Sequence, residues 1–375
     1  MFGPRLMKKL DIIGPYPPPY GGISVHIRRL REQLERAGYD FMLYTSSGKL
    51  QEKGKSVQRI QSLKKWLIKY LLSSKSKILH LNTGSDWRMR LCCGLLCFVR
   101  RKKLVITLHG NDISWPWVIN DDERLKKEVN FKGKVIRELV IAVLKNASFI
   151  IADNPKLKEL ALSIGVKPTK IATVSAFIPP IVGQSDYDRI PQCIWNFYRN
   201  HKPVISANGS IAYYKNDDLY GVDLMIELVK RLKRKYPDIG LIFSLCGVRE
   251  KRYYKELKDR IGRYGITENM LLVQEELPEV YPLYKKSDVF VRPTNTDGDA
   301  MSIREALYFK TPVVASDACP RPDGVVLFKN RDVQDFIEKT KKVLDNYEEY
   351  KSKANNLDPG NGFDRILEIY NELAR

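Results

Sequence analysis

The sequence has no long hydrophobic run, no paired cysteine motif and no G-x-G-x-x-G, and each absence removes a class of protein. Its longest apolar stretch, Leu91 to Val99, is nine residues closed off by Arg90 and Arg100, about half of the roughly 18 that a membrane-spanning helix needs. The amino terminus, MFGPRLMKKL, leads into a strand-like run without an h-region or small-residue cleavage site, so the expected location is the cytosol. The six cysteines (92, 93, 97, 193, 246 and 319) include no C-x-x-C with a matching partner, which suits free thiols in a reducing compartment. Disorder is excluded by composition: 43% of 375 residues are hydrophobic and 29% charged, enough for two domains with cores of their own.

What is present is positive charge, unevenly spread. Residues 1–185 hold 33 Lys and Arg against 14 Asp and Glu, whereas the remainder holds 31 against 30. Basic clusters at Lys64-Lys65, Lys75/Lys77 and Arg100 to Lys103 suit an anionic lipid surface, and the alternative is a set of scattered solvated faces. A basic nucleic-acid-binding protein is a second alternative, but no recognisable nucleic-acid module is present and none is expected as partner.

Strand-like and helix-like segments alternate. Lys8 to Gly14 is followed by the loop PYPPPYGG, a helix from Ile23 to Ala37, and a strand from Phe41 to Thr45. Further strands are predicted at Ile78 to Thr83, Leu104 to Leu108, Phe149 to Asp153 and Ile171 to Ser175, with helices at Glu123 to Asn146 and Lys156 to Ile164. Periodicity fades between Phe177 and Pro203, where a hinge is expected. A second series follows, with strands at 203–208, 240–246 and 270–274 and helices at 221–235, 249–264 and 279–286. The expected fold is α/β: a domain over 1–185, a second over 186–355, and an amphipathic helix within 356–375 that returns to the first.

The most informative stretch is YKKSDVFVRPTNTDGDAMSIREALYFKTPVVASD, from Tyr284 to Asp317. It reads as strand, loop, helix, strand, so TNTDGDAM leaves a strand's carboxyl end and opens a helix, the position where open α/β sheets bind ligands. The first N–H groups of that helix, around Ala300, Met301 and Ser302, suit an anion, and Asp297 and Glu305 bracket whatever the loop holds. Two other readings remain: acids that simply solvate or cap the helix start, and Asp297-Gly298-Asp299 as a metal-binding Asp-x-Asp.

Asp297, seven residues, Glu305-Ala306-Leu307, and then Pro312-Val313-Val314-Ala315-Ser316-Asp317 resemble the donor-site signature of the retaining GT-B glycosyltransferases of family 4, also called group 1. This chain has Asp at the first acidic place, where the family has Glu, and Lys310 at the turn where the family has Gly. The resemblance implies two Rossmann-like domains facing across a cleft, the first binding the acceptor and the second a nucleoside-diphosphate sugar, UDP in preference to GDP. It implies no cofactor and no metal. It assigns the ribose to Glu305 and the donor sugar to Asp297, with His109 of TLHGND reaching the sugar or its phosphate. Gly21 and Gly22 resemble the Gly-Gly loop that closes over the diphosphate. Gly209-Ser210 and Lys215 stand where the family has Gly-Arg and a Lys five residues on, so the Arg is replaced by Ser210. The implied activity is retaining transfer of a sugar to a lipid-linked glycan acceptor, as in surface-polysaccharide assembly, by a cytoplasmic protein peripheral on the inner face of the membrane. A nucleotide-sugar epimerase or phosphorylase on the same fold is the enzymatic alternative.

Overall fold

The computed structural model describes residues 10–46, 56–82, 84, 86–110 and 131–375. The chain divides into two compact units, Met1–Ile181 with Asn361–Arg375, and Val182–Gly360.

The first unit is built on seven strands: β1 (Leu10–Ile13), β2 (Phe41–Thr45), β3 (Val57–Arg59), β4 (Ile78–Leu81), β5 (Lys103–Leu108), β6 (Phe149–Ala152) and β7 (Ile171–Thr173). They form one parallel sheet in the order β3-β2-β1-β4-β5-β6-β7. Every residue of β1 and β4 is buried, as expected of strands covered by helices on both faces. The strand order reverses between β1 and β4, which opens a crevice at their carboxyl ends. Gly14 lies at that point, and a Cβ there would come 2.6 Å from the Asn82 carbonyl oxygen and 2.0 Å from Ile27 Cδ1, so the backbones can meet only at glycine. The last helix, Gly362–Leu373, belongs to this unit: Phe363, Ile366, Ile369 and Tyr370 join the core around Leu10, Ile12 and Val105.

The second unit holds β8 (Val204–Ile211), a hairpin of β9 (Tyr213–Tyr214) and β10 (Asp217–Asp218), then β11 (Gly240–Val248), β12 (Met270–Val273), β13 (Val289–Arg292), β14 (Val313–Ser316) and β15 (Val326–Phe328). Its six-stranded parallel sheet runs β12-β11-β8-β13-β14-β15. Counted within the unit this is 3-2-1-4-5-6, the order of the dinucleotide-binding fold, with its switch point between β8 and β13. Both units are Rossmann-like.

The stretch between Phe177 and Pro203, aperiodic in sequence, contains two helices, Gln184–Asp188 and Gln192–Asn200. The second buries Ile194 and Tyr198, whose hydroxyl donates to the Leu283 carbonyl at 2.7 Å. It is a nine-residue helix set directly after Pro191, too short for its period to stand out. The helix expected from Glu123 is helical over Phe131–Asn146, and its earlier residues, like Lys8 and Lys9 of the first strand, lie outside the described residues.

Candidate active site

At the switch point of the second unit β8 ends in Asn208-Gly209-Ser210-Ile211. A Cβ on Gly209 would come 2.3 Å from Tyr220 Cδ1, so the glycine lets that ring lie against the strand. Ser210 is buried. Lys215 is exposed at the tip of the β9–β10 hairpin. It and Asn216 have φ of 50° and 70°, which makes this tip a two-residue turn with both residues left-handed. The Lys215 ammonium sits 5.5 Å from the centre of the Tyr214 ring. Asn295 ties the hairpin to the loop after β13, its side-chain amide donating to the Tyr214 carbonyl at 3.4 Å.

That loop is organised by arginines. Arg292, the last residue of β13, donates through Nη1 to the Asn208 carbonyl (2.9 Å) and side-chain oxygen (3.0 Å), joining the carboxyl ends of the two switch-point strands. Its Nε and Nη2 donate to the two oxygens of Asp297 at 2.9 and 3.3 Å. Arg321 donates from Nη1 to Asp297 Oδ2 at 3.1 Å, and Thr294 Oγ1 adds a bond at 3.2 Å. Three of these four donors converge on Oδ2, and Oδ1 accepts only from Arg292 Nη2, which leaves it one acceptor position. Burial works against its ionised form, but Arg292 and Arg321 outweigh that and hold the Asp297 carboxyl below its ordinary value. Burial also opposes the Arg292 cation, and Asp297 beside it more than restores it. Arg321 is held in turn by Ser316 of the PVVAS run, through Nε to the carbonyl at 3.0 Å and Nη2 to the hydroxyl at 3.2 Å.

The helix that follows, Met301–Tyr308, starts from an extended Ala300, and no side chain caps it. Ile303, Ala306 and Leu307 pack into the core, and Glu305, in the second turn, is 4% exposed. Asp299 is engaged by Arg304, whose Nε lies 2.6 and 2.9 Å from its two oxygens. The carboxylates of the Asp-x-Asp thus each face a different arginine. Among the described residues no group of three or more His, Cys, Asp and Glu is placed to hold a metal ion. Lys310, standing where the family has Gly, takes a left-handed φ of 64° at the helix end, and its ammonium donates to the Leu357 carbonyl at 2.9 Å.

In the first unit Gly21 is the cap of the helix Gly22–Arg36, its N–H donating to Ser24 Oγ at 2.9 Å. Both glycines are exposed, and a Cβ on either would meet nothing within 4 Å. His109 follows β5 and is 6% exposed, between Asn82, whose Oδ1 is 3.2 Å from Nε2, and Asp153, whose Oδ2 is 3.7 Å from Nδ1. Asp153 also accepts from the Gly110 N–H at 2.8 Å. His80 is wholly buried, with Nε2 2.7 Å from Thr107 Oγ1 and 3.0 Å from Asn82 Nδ2 and with Nδ1 against the Tyr370 hydroxyl. His26 is buried beside His109 and paired to the Ala176 carbonyl at 2.7 Å. Burial, and His109 next to it, push its pKa down to about 3.

Two family models match, one in each unit: Glycosyltransferase Family 4 over residues 20–180 and Glycosyl transferases group 1 over residues 201–357. The chain is a GT-B protein of the family 4 and group 1 glycosyltransferase type. A curated relative, the lipopolysaccharide core biosynthesis mannosyltransferase LpsB of Rhizobium meliloti, is 30% identical over 117 residues, 31% of this chain and 32% of that protein. The match thus spans about a third of the relative's length. Among solved structures, Anabaena HepE in complex with UDP-glucose matches at a TM-score of 0.69 with 15% identity, covering 97% of this chain and 99% of that one. The lipopolysaccharide outer core galactosyltransferase WaaB matches at 0.58 with 13% identity, covering 97% and 99%. At these identities the structures establish the GT-B fold.

Sequence reasoning singled out Asp297, Glu305, Gly209, Ser210 and the helix start at Ala300 to Ser302, and all belong to the switch-point end of the second unit. It passed over Arg292, Asn208 and Arg321, and, around His109, Asn82 and Asp153. Arg292 carried a signal: a charged residue closing the apolar run VFVR. Arg321 carried none, because its partner lies 24 residues away.

Proposed function

We propose that the protein is a retaining glycosyltransferase that moves a sugar from a nucleoside-diphosphate sugar, UDP-linked rather than GDP-linked, to a lipid-linked glycan at the inner face of a membrane. The observation that carries this reading is the helix Met301–Tyr308, which begins without a side-chain cap at the β8–β13 switch point and carries the buried Glu305. A helix start of this kind opposes the charge of a departing diphosphate with fixed N–H dipoles. Backbone groups of Ala300, Met301 and Ser302 would take that role, aided by Gly209 and Ser210 and by Lys215 from its hairpin. Such binding uses preorganised donors of the protein and is independent of a metal. Glu305 accepts from the ribose hydroxyls. Asp297 meets the donor-sugar hydroxyls through Oδ1, while its Oδ2 fixes Arg292 and Arg321. By the family resemblance, His109 of the first unit serves the sugar or its phosphate, and Gly21 and Gly22 serve the phosphates. HepE being solved with UDP-glucose supports the choice of UDP, and the lipopolysaccharide core relative supports a glycan acceptor.

Isothermal titration with UDP- and GDP-sugars tests the donor. Micromolar binding of one UDP-sugar is the expected result, and binding of GDP-sugars alone would overturn the choice of base. NMR of the transferred anomer tests retention, and turnover without any acceptor would favour an epimerase.

A further inference from the structure

The helix Trp87–Arg100 is apolar on two sides. Met89, Cys93, Leu96 and Cys97 pack into the core of the first unit. Leu95, Phe98 and Val99, spaced i, i+3, i+4, point the other way and are 65, 84 and 59% exposed. Its neighbours repeat the arrangement. Ile68 and Leu72 on the helix Leu63–Ser73, and Val135 and Leu139 on Phe131–Asn146, are i, i+4 pairs that are likewise exposed, Leu72 at 82%. The three helices are locked together. A Cβ on Gly94 would come 2.6 Å from Val143 Cγ2, so glycine seats the middle helix against Phe131–Asn146. Arg100 Nη2 donates to the Ser74 carbonyl at 3.3 Å at the end of Leu63–Ser73. A soluble surface rarely gathers so many large apolar side chains on one set of packed helices.

We propose that these outward faces form one docking surface that inserts Leu72, Leu95, Phe98 and Val99 into an anionic lipid bilayer. It rests on the proposed function only for the reason a bilayer is nearby. Charge chooses the occupant: the three helices expose nine Lys and Arg against the single Glu138. A second copy docking by the same face would bring like charges together across a two-fold axis, whereas anionic headgroups would neutralise them. Lysines and arginines at the margin reach phosphates while the apolar side chains bury, the arrangement of an interfacial helix. Because part of the binding is apolar, salt removes only the electrostatic share.

Flotation with vesicles of phosphatidylcholine alone or mixed with phosphatidylglycerol tests this. The protein should bind the anionic vesicles and keep part of that binding at about 1 M salt, where the Debye length is about 3 Å. Leu72→Ser with Phe98→Ser should reduce binding about a hundredfold, about tenfold for each large side chain kept from the bilayer. Both residues are exposed, so the melting temperature should not change. Binding by the double variant equal to that of the parent would overturn the proposal, as would failure of the parent to bind any vesicle. So would a concentration-dependent dimer, seen by sedimentation and abolished by the same substitutions, in a protein that ignores vesicles. UDP-sugar titration of both proteins is the control: a parent that binds vesicles but no nucleotide sugar would refute the proposed function and leave the docking surface standing.

Discussion

Arg321 reaches back 24 residues to place Nη1 3.1 Å from Asp297 Oδ2, and with Arg292 on the other side it makes the first acid of the donor-site signature part of an arginine-held junction. The loop between β13 and the helix Met301–Tyr308 is thereby anchored to β8 through Asn208 and to β14 through Ser316.

Asp297→Ala should destabilise the second unit by about 3 kcal/mol, because two buried guanidinium groups lose their counter-charge. Asp297→Asn should cost less. The carboxyl pKa is lowered in the folded state, so its contribution is complete above the unfolded value near ~3.9 and disappears as pH falls through the lower folded value. The stability gap between parent and Asp297→Asn, measured by urea denaturation, should thus hold at pH 7 and narrow below about pH 4. An equal gap at both pH values would show that the aspartate acts through shape rather than charge.

Glu305→Gln should fold as the parent does and bind the nucleotide sugar about tenfold to a hundredfold more weakly. An amide carbonyl replaces the charged acceptor that pairs best with ribose hydroxyls, a change on the order of 1.5–3 kcal/mol. Calorimetric titration gives the number directly, and unchanged affinity and turnover would remove Glu305 from the nucleotide site.

Activity should survive EDTA. Asp297 and Asp299 are each engaged by arginine rather than turned toward one another's ligand. Complete loss on chelation, restored by manganese or magnesium, would reassign the diphosphate to a metal ion.

The first unit should be acid-labile well above the carboxylate range. His26, pushed down to about 3, and His80, also well below its ordinary value, are buried and uncharged, whereas both take a proton near pH 6.5 once unfolded. Stability from each is present above the unfolded value and lost as pH falls below it, about 2 kcal/mol from His26 alone by pH 5. Denaturation midpoints at pH 7.5, 6 and 5 follow this, and substitution of His26 by Gln should flatten the profile.

Alternating apolar segments and β-branched runs are local properties, so the sequence alone determined that two parallel-sheet units follow one another and that Tyr284 to Asp317 forms a strand-loop-helix-strand passage. The family resemblance placed Lys310 at the turn after that helix, and only the structure shows its left-handed φ. Which side chains meet was decided by tertiary structure. Asn208 and Arg292 are 84 residues apart and become neighbours only because the strand order reverses between β8 and β13. His109, His26, His80 and Asn82 come together for the same reason at the other sheet. The segment Leu91 to Val99 makes the same point for a surface. Its composition marks it as apolar all round, but periodicity cannot say which face will find a partner, and packing against β4, β5 and the neighbouring helices covers Cys93 and Cys97 while leaving Leu95, Phe98 and Val99 outside.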